Sequence, residues 1–100
     1  MIIMSGWKIY PTEVEEVLIE HPSVHEIAIF SLPHEHRGEI PVAAVIWNDE
    51  EDIDSLMDYA SKKLARYKIP RKIFTTDSLP RVNGWKLLRR ELKEIYIDYE

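Results

Sequence analysis

The spacing of apolar residues changes along the chain, and each change predicts a new element of secondary structure. Val14, Val17 and Leu18 recur at helical spacing. They follow Pro11, whose fixed φ suits the first turn of a helix, and the acidic residues around them favour the positive end of that helix. We therefore expect a first helix of about 10 residues that ends ahead of Pro22, because the residue before a proline disfavours helical backbone.

Two segments rich in apolar and β-branched residues come next. Residues 24–30 alternate along the chain, which predicts a strand with a different set of side chains on each face. We place these residues on one face: Val24, Glu26, Ala28 and Phe30. The other face then holds His25, Ile27 and Ile29. Residues 31–41 are polar around Gly38 and predict a hairpin-like connection. Residues 42–47 are continuously apolar, which predicts a strand covered on both faces.

The second half of the chain begins with an acidic turn and continues with a clear helical repeat. The apolar positions of residues 53–66 share one face of a helix: Ile53, Leu56, Met57, Ala60 and Leu64. Residues 72–75 follow Pro70 and predict a third strand. Asn83-Gly84 is a strong signal for a tight turn. One more apolar stripe predicts the last helix: Leu88, Leu92, Ile95 and Tyr99.

This order of elements predicts an α+β fold. We expect a small three-stranded β-sheet with helices packed on it, plus a short β-hairpin or turn that carries Lys86. One hundred residues are enough for one modest hydrophobic core, so we expect a single domain over residues 1–100.

Composition excludes several classes of protein. The chain is 45% hydrophobic and 31% charged, which is typical of a globular domain. No apolar run approaches the roughly 20 residues that cross a bilayer, so no transmembrane segment is expected. The apolar start, residues 1–4, has no basic flank and does not resemble a signal peptide. The absence of cysteine excludes disulfides and thiol chemistry, and a cytoplasmic location is expected. The four histidines show no metal-ligand spacing, and we expect exposed side chains for all of them: His21, His25, His34 and His36.

The net charge of −5 conceals a strong asymmetry along the chain. Residues 1–60 contain two basic and 13 acidic residues, a balance of −11. Residues 61–93 contain 11 basic and two acidic residues, a balance of +9. Such a basic region suits an anionic partner. Phosphorylated small molecules, nucleic acid and ion pairs with the acidic half of the same chain remain open as explanations.

Two short motifs carry candidate chemistry. Lys86 lies between a turn and an amphipathic helix, where a compact cation on a flexible stem can be delivered to an anion, although a plain surface lysine also fits this position. The segment Gly6-Trp7-Lys8 combines a residue without Cβ, which lets the backbone approach a ligand closely, with a large aromatic residue. A structural turn with a core aromatic anchor is the alternative for this second motif.

Together the motifs identify a family. The chain resembles, over nearly its whole length, the small C-terminal domain of the AMP-forming acyl-CoA synthetases, an adenylate-forming superfamily. That family ends in a run Leu-Pro-(Lys/Arg)-x-x-x-Gly-Lys-x-x-Arg-(Arg), and six residues stand at matching spacings: Leu79, Pro80, Arg81, Lys86, Arg89 and Arg90. Trp85 replaces the family's glycine, and a glycine stands one position earlier. We interpret this as a tight turn moved onto Asn83-Gly84.

The resemblance implies roles for both motifs. Lys86 assists formation of the acyl-adenylate, and Gly6 lines the tunnel for the pantetheine arm of CoA, with Trp7 beside it and Lys8 near phosphate. ATP and CoA are substrates, and Mg²⁺ accompanies ATP without being bound by this domain. Further basic residues are candidates for the CoA phosphates: Lys62, Lys63, Arg66, Lys68 and Arg71. Two other family motifs are expected to be mainly architectural: Arg37-Gly38-Glu39 and Tyr67-Lys68-Ile69-Pro70.

The resemblance also implies a partner. An N-terminal adenylation domain would hold ATP and the acyl-adenylate, while residues 1–100 form an excised or truncated lid that turns nothing over alone. We expect an acid–thiol ligase of fatty acid metabolism that acts on medium- or long-chain acids. The alternatives are the lid of an adenylation domain that loads a carrier protein, a free-standing basic-faced module for nucleotide or nucleic acid, and a pure interaction protein. Nucleic acid is not expected as a partner, because no aromatic-interleaved platform is present.

Overall fold

The computed structural model describes residues 1–82 and 86–98, with Val82 and Lys86 described through their backbone alone. The strands are β1 (Ile2–Met4), β2 (Trp7–Ile9), β3 (Val24–His34), β4 (Gly38–Trp47), β5 (Ile73–Thr75), β6 (Arg81–Val82) and β7 (Lys86–Leu87). The helices are α1 (Pro11–Leu18), α2 (Ile53–Lys63) and α3 (Arg89–Tyr96), and a 3₁₀ turn covers Arg66–Lys68.

The central sheet is built around one long antiparallel pair, β3 and β4. The β1–β2 hairpin extends the sheet beyond β4 through the pair Met4↔Gly38, and β5 runs parallel to β4 from Ile73 to Thr75. The strands β6 and β7 form a separate two-stranded ribbon. The α+β prediction is confirmed, but the expected number of three strands is wrong, because the main sheet has five strands in the part of the chain that the structure describes.

The two missed strands are the first two of the chain. Each is three residues long, which is too short for alternation to be visible in the sequence. The predicted connection over residues 31–41 is also wrong in extent. Residues 31–34 continue β3 and pair with residues 38–41, so that only 35–37 remain as the loop between the strands.

A β-bulge changes the side-chain pattern that the sequence predicted for β3. The register shifts between Val24 and Glu26, and the extra residue reverses the alternation at that point. Val24 consequently lies in the same core cluster as Ile27 and Ile29, so its predicted place on the other face is wrong.

The helices end earlier than their apolar patterns predicted. The second helix stops at Lys63, because Leu64 has extended backbone with φ −118° and ψ 149°. In the last helix Leu92 is buried as predicted, but Ile95 is 65% exposed. Tyr96 packs against the core in its place, stacked on Phe74 with 4.3 Å between ring centroids. Tyr99 and the predicted Asn83-Gly84 turn lie outside the described residues.

Two hydrophobic clusters cover the two faces of the sheet. The first holds the buried residues of α1, α2 and the β1–β2 hairpin, including Leu18, Leu56 and Met4. The second holds Phe30 and Leu92, and the ribbon residue Leu87 packs against it. The hairpin with the Gly6 motif and the ribbon with Lys86 therefore belong to opposite faces of one sheet.

Candidate functional site

Gly6 occupies a two-residue turn that joins β1 and β2. Ser5 has φ 51° and Gly6 has φ 87°, and positive φ at both positions is the geometry that fits the right-handed twist of a hairpin. The Ser5 N–H donates to the Arg37 carbonyl at 2.9 Å, which fixes the turn against the loop before β4. A Cβ added at Gly6 would meet nothing within 4 Å. Glycine is thus required here by its backbone angle, and the space above it is open.

Trp7 is 56% exposed and stacks on Tyr67, with 4.6 Å between ring centroids. The alternative of a buried core anchor at Trp7 is therefore wrong, because its ring forms a wall at the surface. Tyr67 lies in the 3₁₀ turn. Lys8 pairs with Ile3 across the hairpin and alternates to the opposite face from Trp7. Gly6 and Trp7 are thus close together, whereas the side chain of Lys8 faces away from them.

A cleft of about 630 Å³ lies beside this turn. Trp7 and Tyr67 form one wall, and three arginines contribute cations: Arg37, Arg66 and Arg71. All three arginines are exposed, and within the part of the chain that the structure describes none forms an ion pair with a carboxylate. A cleft with an aromatic wall and three available guanidinium groups suits a ligand that carries phosphate and an aromatic base.

The sequence did not mark Arg37 as a binding residue, although its motif was noted. Arg37 lines the cleft, while the other two residues of the motif are structural. Gly38 has φ 85° at the start of β4, and Glu39 accepts a hydrogen bond from the Ile3 N–H at 2.9 Å. One sequence signal was available for Arg37: it stands directly before Gly38, at the end of the loop. The contact between this loop and the hairpin turn joins residues that are distant in the chain, so the sequence alone does not reveal it.

Much of the basic charge of residues 61–93 is engaged within the chain. Four ion pairs are present among the described residues: Lys62–Asp58, Lys68–Glu13, Arg81–Glu26 and Arg89–Glu15. All four join the basic segment to the acidic residues 1–60, which was one of the explanations left open by the sequence. Glu13 also raises the pKa of Lys68 through a hydrogen bond to its ammonium group. Lys68 is consequently held by α1 and does not line the cleft.

The ribbon that carries Lys86 is short and rests on the second core cluster. Arg81 pairs with Leu87 and Val82 with Lys86, and the Leu88 N–H donates to the Pro80 carbonyl at 2.9 Å. The side chain of Lys86, and Trp85 with the predicted turn before it, lie outside the described residues. For Lys86 the structure describes the backbone, which lies in β7 on the face of the sheet opposite the cleft.

The expectation of an exposed His21 is wrong. His21 is 5% exposed, its Nδ1 accepts the Ser23 N–H at 3.1 Å, and its Nε2 lies 2.9 Å from the Ser55 hydroxyl. Because Nδ1 is an acceptor, Nε2 carries the proton and donates to Ser55. This polarity holds the serine as an acceptor and does not activate it as a nucleophile. The side chain joins the end of α1 to α2.

Residues 1–82 and 86–98 contain neither a membrane-spanning helix nor a cluster of metal ligands. No helix in this part of the chain is long and apolar enough to span a bilayer. No group of three or more His, Cys, Asp or Glu side chains is arranged there to hold a metal ion.

Comparison with known proteins places this geometry in context. Residues 13–85 match the AMP-binding enzyme C-terminal domain family. Among curated proteins, the chain is 39% identical over 95 residues to a 2-succinylbenzoate–CoA ligase of Bacillus cereus. That match covers 95% of this chain and 20% of the relative, so the chain spans about a fifth of the length of the curated relatives it matches.

Solved structures that resemble this chain are also those of CoA synthetases. A fatty acyl CoA synthetase of Mycobacterium tuberculosis is 39% identical with a TM-score of 0.90, and the match covers 96% of this chain and 19% of that one. An o-succinylbenzoate CoA synthetase of Bacillus subtilis, in complex with its acyl-adenylate intermediate, is 42% identical with a TM-score of 0.86. That match covers 91% of this chain and 19% of the synthetase.

Proposed function

Since this chain belongs to the family of AMP-binding enzyme C-terminal domains, we propose that it is the mobile lid of a two-domain, AMP-forming acid–CoA ligase. Residues 1–100 form the lid in this proposal, and a larger N-terminal adenylation domain supplies the pocket for ATP and the acid. The acid–CoA ligases among its relatives support this assignment. A cytoplasmic location forms part of the proposal.

The observation that carries the proposal is the placement of the two candidate sites on opposite faces of the sheet. Trp7 shares a face of the hairpin with its cross-strand partner Met4, which belongs to the first core cluster. The ribbon residue Leu87, and Leu79 just before the ribbon, pack against the second cluster. A single pocket in a larger protein can therefore meet only one of the two sites at a time. A lid that rotates between two steps of a reaction makes use of both sites.

The reaction has two steps with different demands. In the first, a carboxylate oxygen of the acid attacks the α-phosphorus of ATP, the bond to the β-phosphate oxygen breaks, and pyrophosphate leaves. In the second, the CoA sulfur attacks the acyl carbonyl carbon, AMP leaves, and the thiol proton passes to solvent. The first step builds negative charge on phosphoryl oxygens. The second requires a path for the long pantetheine arm.

Lys86 serves the first step. A cation held near the α-phosphate stabilises charge that grows in the transition state, and this is the interaction that accelerates a reaction. Mg²⁺ accompanies ATP in this proposal. We assign the ion to the ATP phosphates and the adenylation domain, because Mg²⁺ in such sites is held by substrate phosphates and one or two carboxylates.

The Gly6 side serves the second step. The open space above Gly6 gives the pantetheine arm a close approach to backbone. The neighbouring cleft supplies guanidinium groups for the CoA phosphates and the face of Trp7 for stacking. Arg37 and Arg71 thus join Gly6 and Trp7 in the proposed CoA site. Lys8, on the other face of the hairpin, remains a candidate only for the outer phosphates.

The acid is proposed as a medium- or long-chain fatty acid. The likeness to the Mycobacterium tuberculosis fatty acyl CoA synthetase supports it. The equally strong likeness to 2-succinylbenzoate–CoA ligases makes that acid the second candidate. The lid contacts CoA and phosphate in this proposal and leaves the choice of acid to the adenylation domain, so a panel of both acids with the whole ligase separates the two.

Two other functions can be separated from this one by binding and transfer assays. The lid of a carrier-loading adenylation domain would transfer the acyl group to a pantetheinylated carrier protein and leave free CoA unreacted. A nucleic-acid module would bind RNA or DNA with an affinity that falls steeply between about 50 and 200 mM salt. The ion pairs of Lys68, Arg81 and Arg89 with acidic residues reduce the charge available for the second alternative.

A hybrid protein tests the proposal. The chain replaces the matched fifth of the Bacillus cereus 2-succinylbenzoate–CoA ligase, and pyrophosphate release and CoA thioester formation from synthetic acyl-adenylate are measured separately. The hybrid is expected to catalyse both steps. The change Lys86→Ala should slow pyrophosphate release on the order of 10²-fold and leave thioester formation unchanged. A hybrid that catalyses neither step, or an equal loss in both, would contradict the proposal.

A further inference from the structure

We infer that Arg89 is a positioning residue for Lys86, because it fixes the second leg of the ribbon to the edge of the central sheet. This inference rests on the proposed function, since it assigns Arg89 a part in the step that Lys86 serves. Arg89 is the first residue of α3 and follows Lys86 by three positions. It contacts the protein's own backbone and a carboxylate.

Arg89 closes a ring of hydrogen bonds among three elements. Its Nε donates to the Ile29 carbonyl at 2.9 Å, and its Nη2 donates to Glu15 Oε1 at 2.6 Å. The other carboxylate oxygen, Glu15 Oε2, accepts the Ile29 N–H at 2.7 Å. The side chain of Glu15 is 16% exposed, so the ring is partly shielded from water. One arginine thereby joins α1, β3 and the start of α3.

The ribbon needs such fixation because it is very small. Within the described residues its backbone is held by two residue pairs and by a hydrogen bond from the Leu88 N–H to the Pro80 carbonyl. An isolated two-stranded ribbon of this size is not stable by itself. The first leg is held by an ion pair between Arg81 and Glu26 at 2.9 Å. The second leg is held by Arg89, which is the fixed point nearer to Lys86 in the chain.

The geometry requires an arginine and not merely a positive charge. A guanidinium group is a planar fork that donates in two directions at once, here to a carbonyl and to a carboxylate. Lysine keeps the charge but presents a single point, so Arg89→Lys would satisfy at most one acceptor well. The conservative substitution therefore separates a role in shape from a role in charge.

The expected effect is confined to one half of the reaction. A displacement of about 1 Å in a catalytic group can slow a reaction on the order of 10²-fold. Loss of the Arg89 ring should thus slow pyrophosphate release about 10- to 100-fold in the hybrid ligase. Thioester formation from synthetic acyl-adenylate uses the opposite face of the sheet and should not change. A merely structural role would slow both steps together.

The test has two arms. In the first arm, amide hydrogen exchange of Leu88 is measured on the 100-residue chain with Arg89→Lys. The ribbon amide should exchange faster, whereas the Val45 amide in the centre of the sheet should not. In the second arm, both half-reactions are measured on the hybrid ligase with the same change. Arg90→Lys is the matched control, because Arg90 is the exposed neighbour in the same helix turn.

The outcomes distinguish the inference from the proposed function. If Lys86→Ala spares pyrophosphate release, the proposed function fails whatever Arg89 does. If Lys86→Ala slows it and Arg89→Lys does not, the positioning role of Arg89 is wrong. Unchanged exchange at Leu88 in the first arm would also overturn it. Faster exchange together with a selective loss of pyrophosphate release, absent in Arg90→Lys, supports the inference.

Discussion

Trp7 and Tyr67 are 60 positions apart in the chain, yet their rings stack with 4.6 Å between centroids and an interplanar angle of 26°. This contact joins the hairpin turn at Gly6 to the 3₁₀ turn at Tyr67. Two motifs that look independent in the sequence are thereby parts of one wall. The arginines of the cleft are gathered around that wall, which makes the pair the structural centre of the proposed CoA site.

The aromatic pair should contribute to stability as well as to binding. We expect Trp7→Ala to lower the free energy of unfolding by about 1 kcal/mol, because stacked aromatic pairs contribute roughly 0.5–1.5 kcal/mol beyond their buried area. Urea unfolding of the chain measures this change. Trp7→Phe should retain most of the stability, since it keeps a ring. An equal loss in both variants would show that the stack with Tyr67 is not the cause.

Substitutions at Gly6 should separate the effect of backbone strain from the effect of blocking the path of the pantetheine arm. Both Gly6→Ala and Gly6→Leu place a side chain at φ 87°, which costs roughly 1–2 kcal/mol of stability in either case. In the hybrid ligase, however, Gly6→Leu should slow thioester formation much more than Gly6→Ala, because only the longer side chain fills the proposed tunnel. Pyrophosphate release should be the same in both. If alanine slows thioester formation as much as leucine, strain explains the effect and the tunnel is wrongly placed.

The cleft arginines should affect CoA binding more than turnover. We expect Arg71→Gln to raise the KM for CoA about tenfold in the hybrid ligase with kcat nearly unchanged, because a hydrogen bond to a charged group contributes roughly 1.5–3 kcal/mol. The KM for ATP should not move. Arg90→Gln removes the same charge from a surface outside the cleft and should have no effect on either KM. A comparable rise for Arg90→Gln would indicate general attraction and not a site.

The Lys68–Glu13 pair should make stability depend on pH in the alkaline range. Glu13 raises the pKa of Lys68 above its ordinary value of 10.5, so the folded state holds this proton more tightly than the unfolded state. The stabilisation is therefore fully present below about pH 10.5 and is lost as the pH rises through the pKa of the folded state. Unfolding by urea at neutral pH and above pH 11 measures it, with Lys68→Met for comparison. A difference between native and variant chains that stays constant over this range would contradict the assignment.

The sequence predicted the parts of the fold that have long and regular patterns. The helix at residues 53–63 has a clear helical period and the strand ending at Trp47 has an unbroken apolar run, and both are confirmed within a few residues. The first hairpin was missed because its strands are three residues each. The bulge at Val24 was missed because one added residue leaves no mark in composition, yet it reverses which face each neighbour occupies.

The site was predictable only in part, for a similar reason. Local motifs pointed to Gly6 and Trp7, and the structure gives Gly6 a positive φ and Trp7 a place in an aromatic wall, while their roles in binding stay predictions. Arg37 contributes to the cleft through a contact between its loop and the turn at Ser5, 32 positions earlier, which no local pattern reports. Glu15 was interpreted as a charge that favours a helix terminus, whereas it bonds both Ile29 and Arg89. Pairings between distant residues depend on topology, and a single sequence contains topology only indirectly.

The ring formed by Glu15 and Arg89 has a second consequence, for solubility. β3 is the outermost strand on its side of the sheet, and an open edge of eleven residues would be a template for another chain. At Ile29, near the middle of that edge, the N–H is occupied by Glu15 and the carbonyl by Arg89. The two charged side chains thus stand where an incoming strand would have to pair, and they protect the domain against edge-to-edge aggregation.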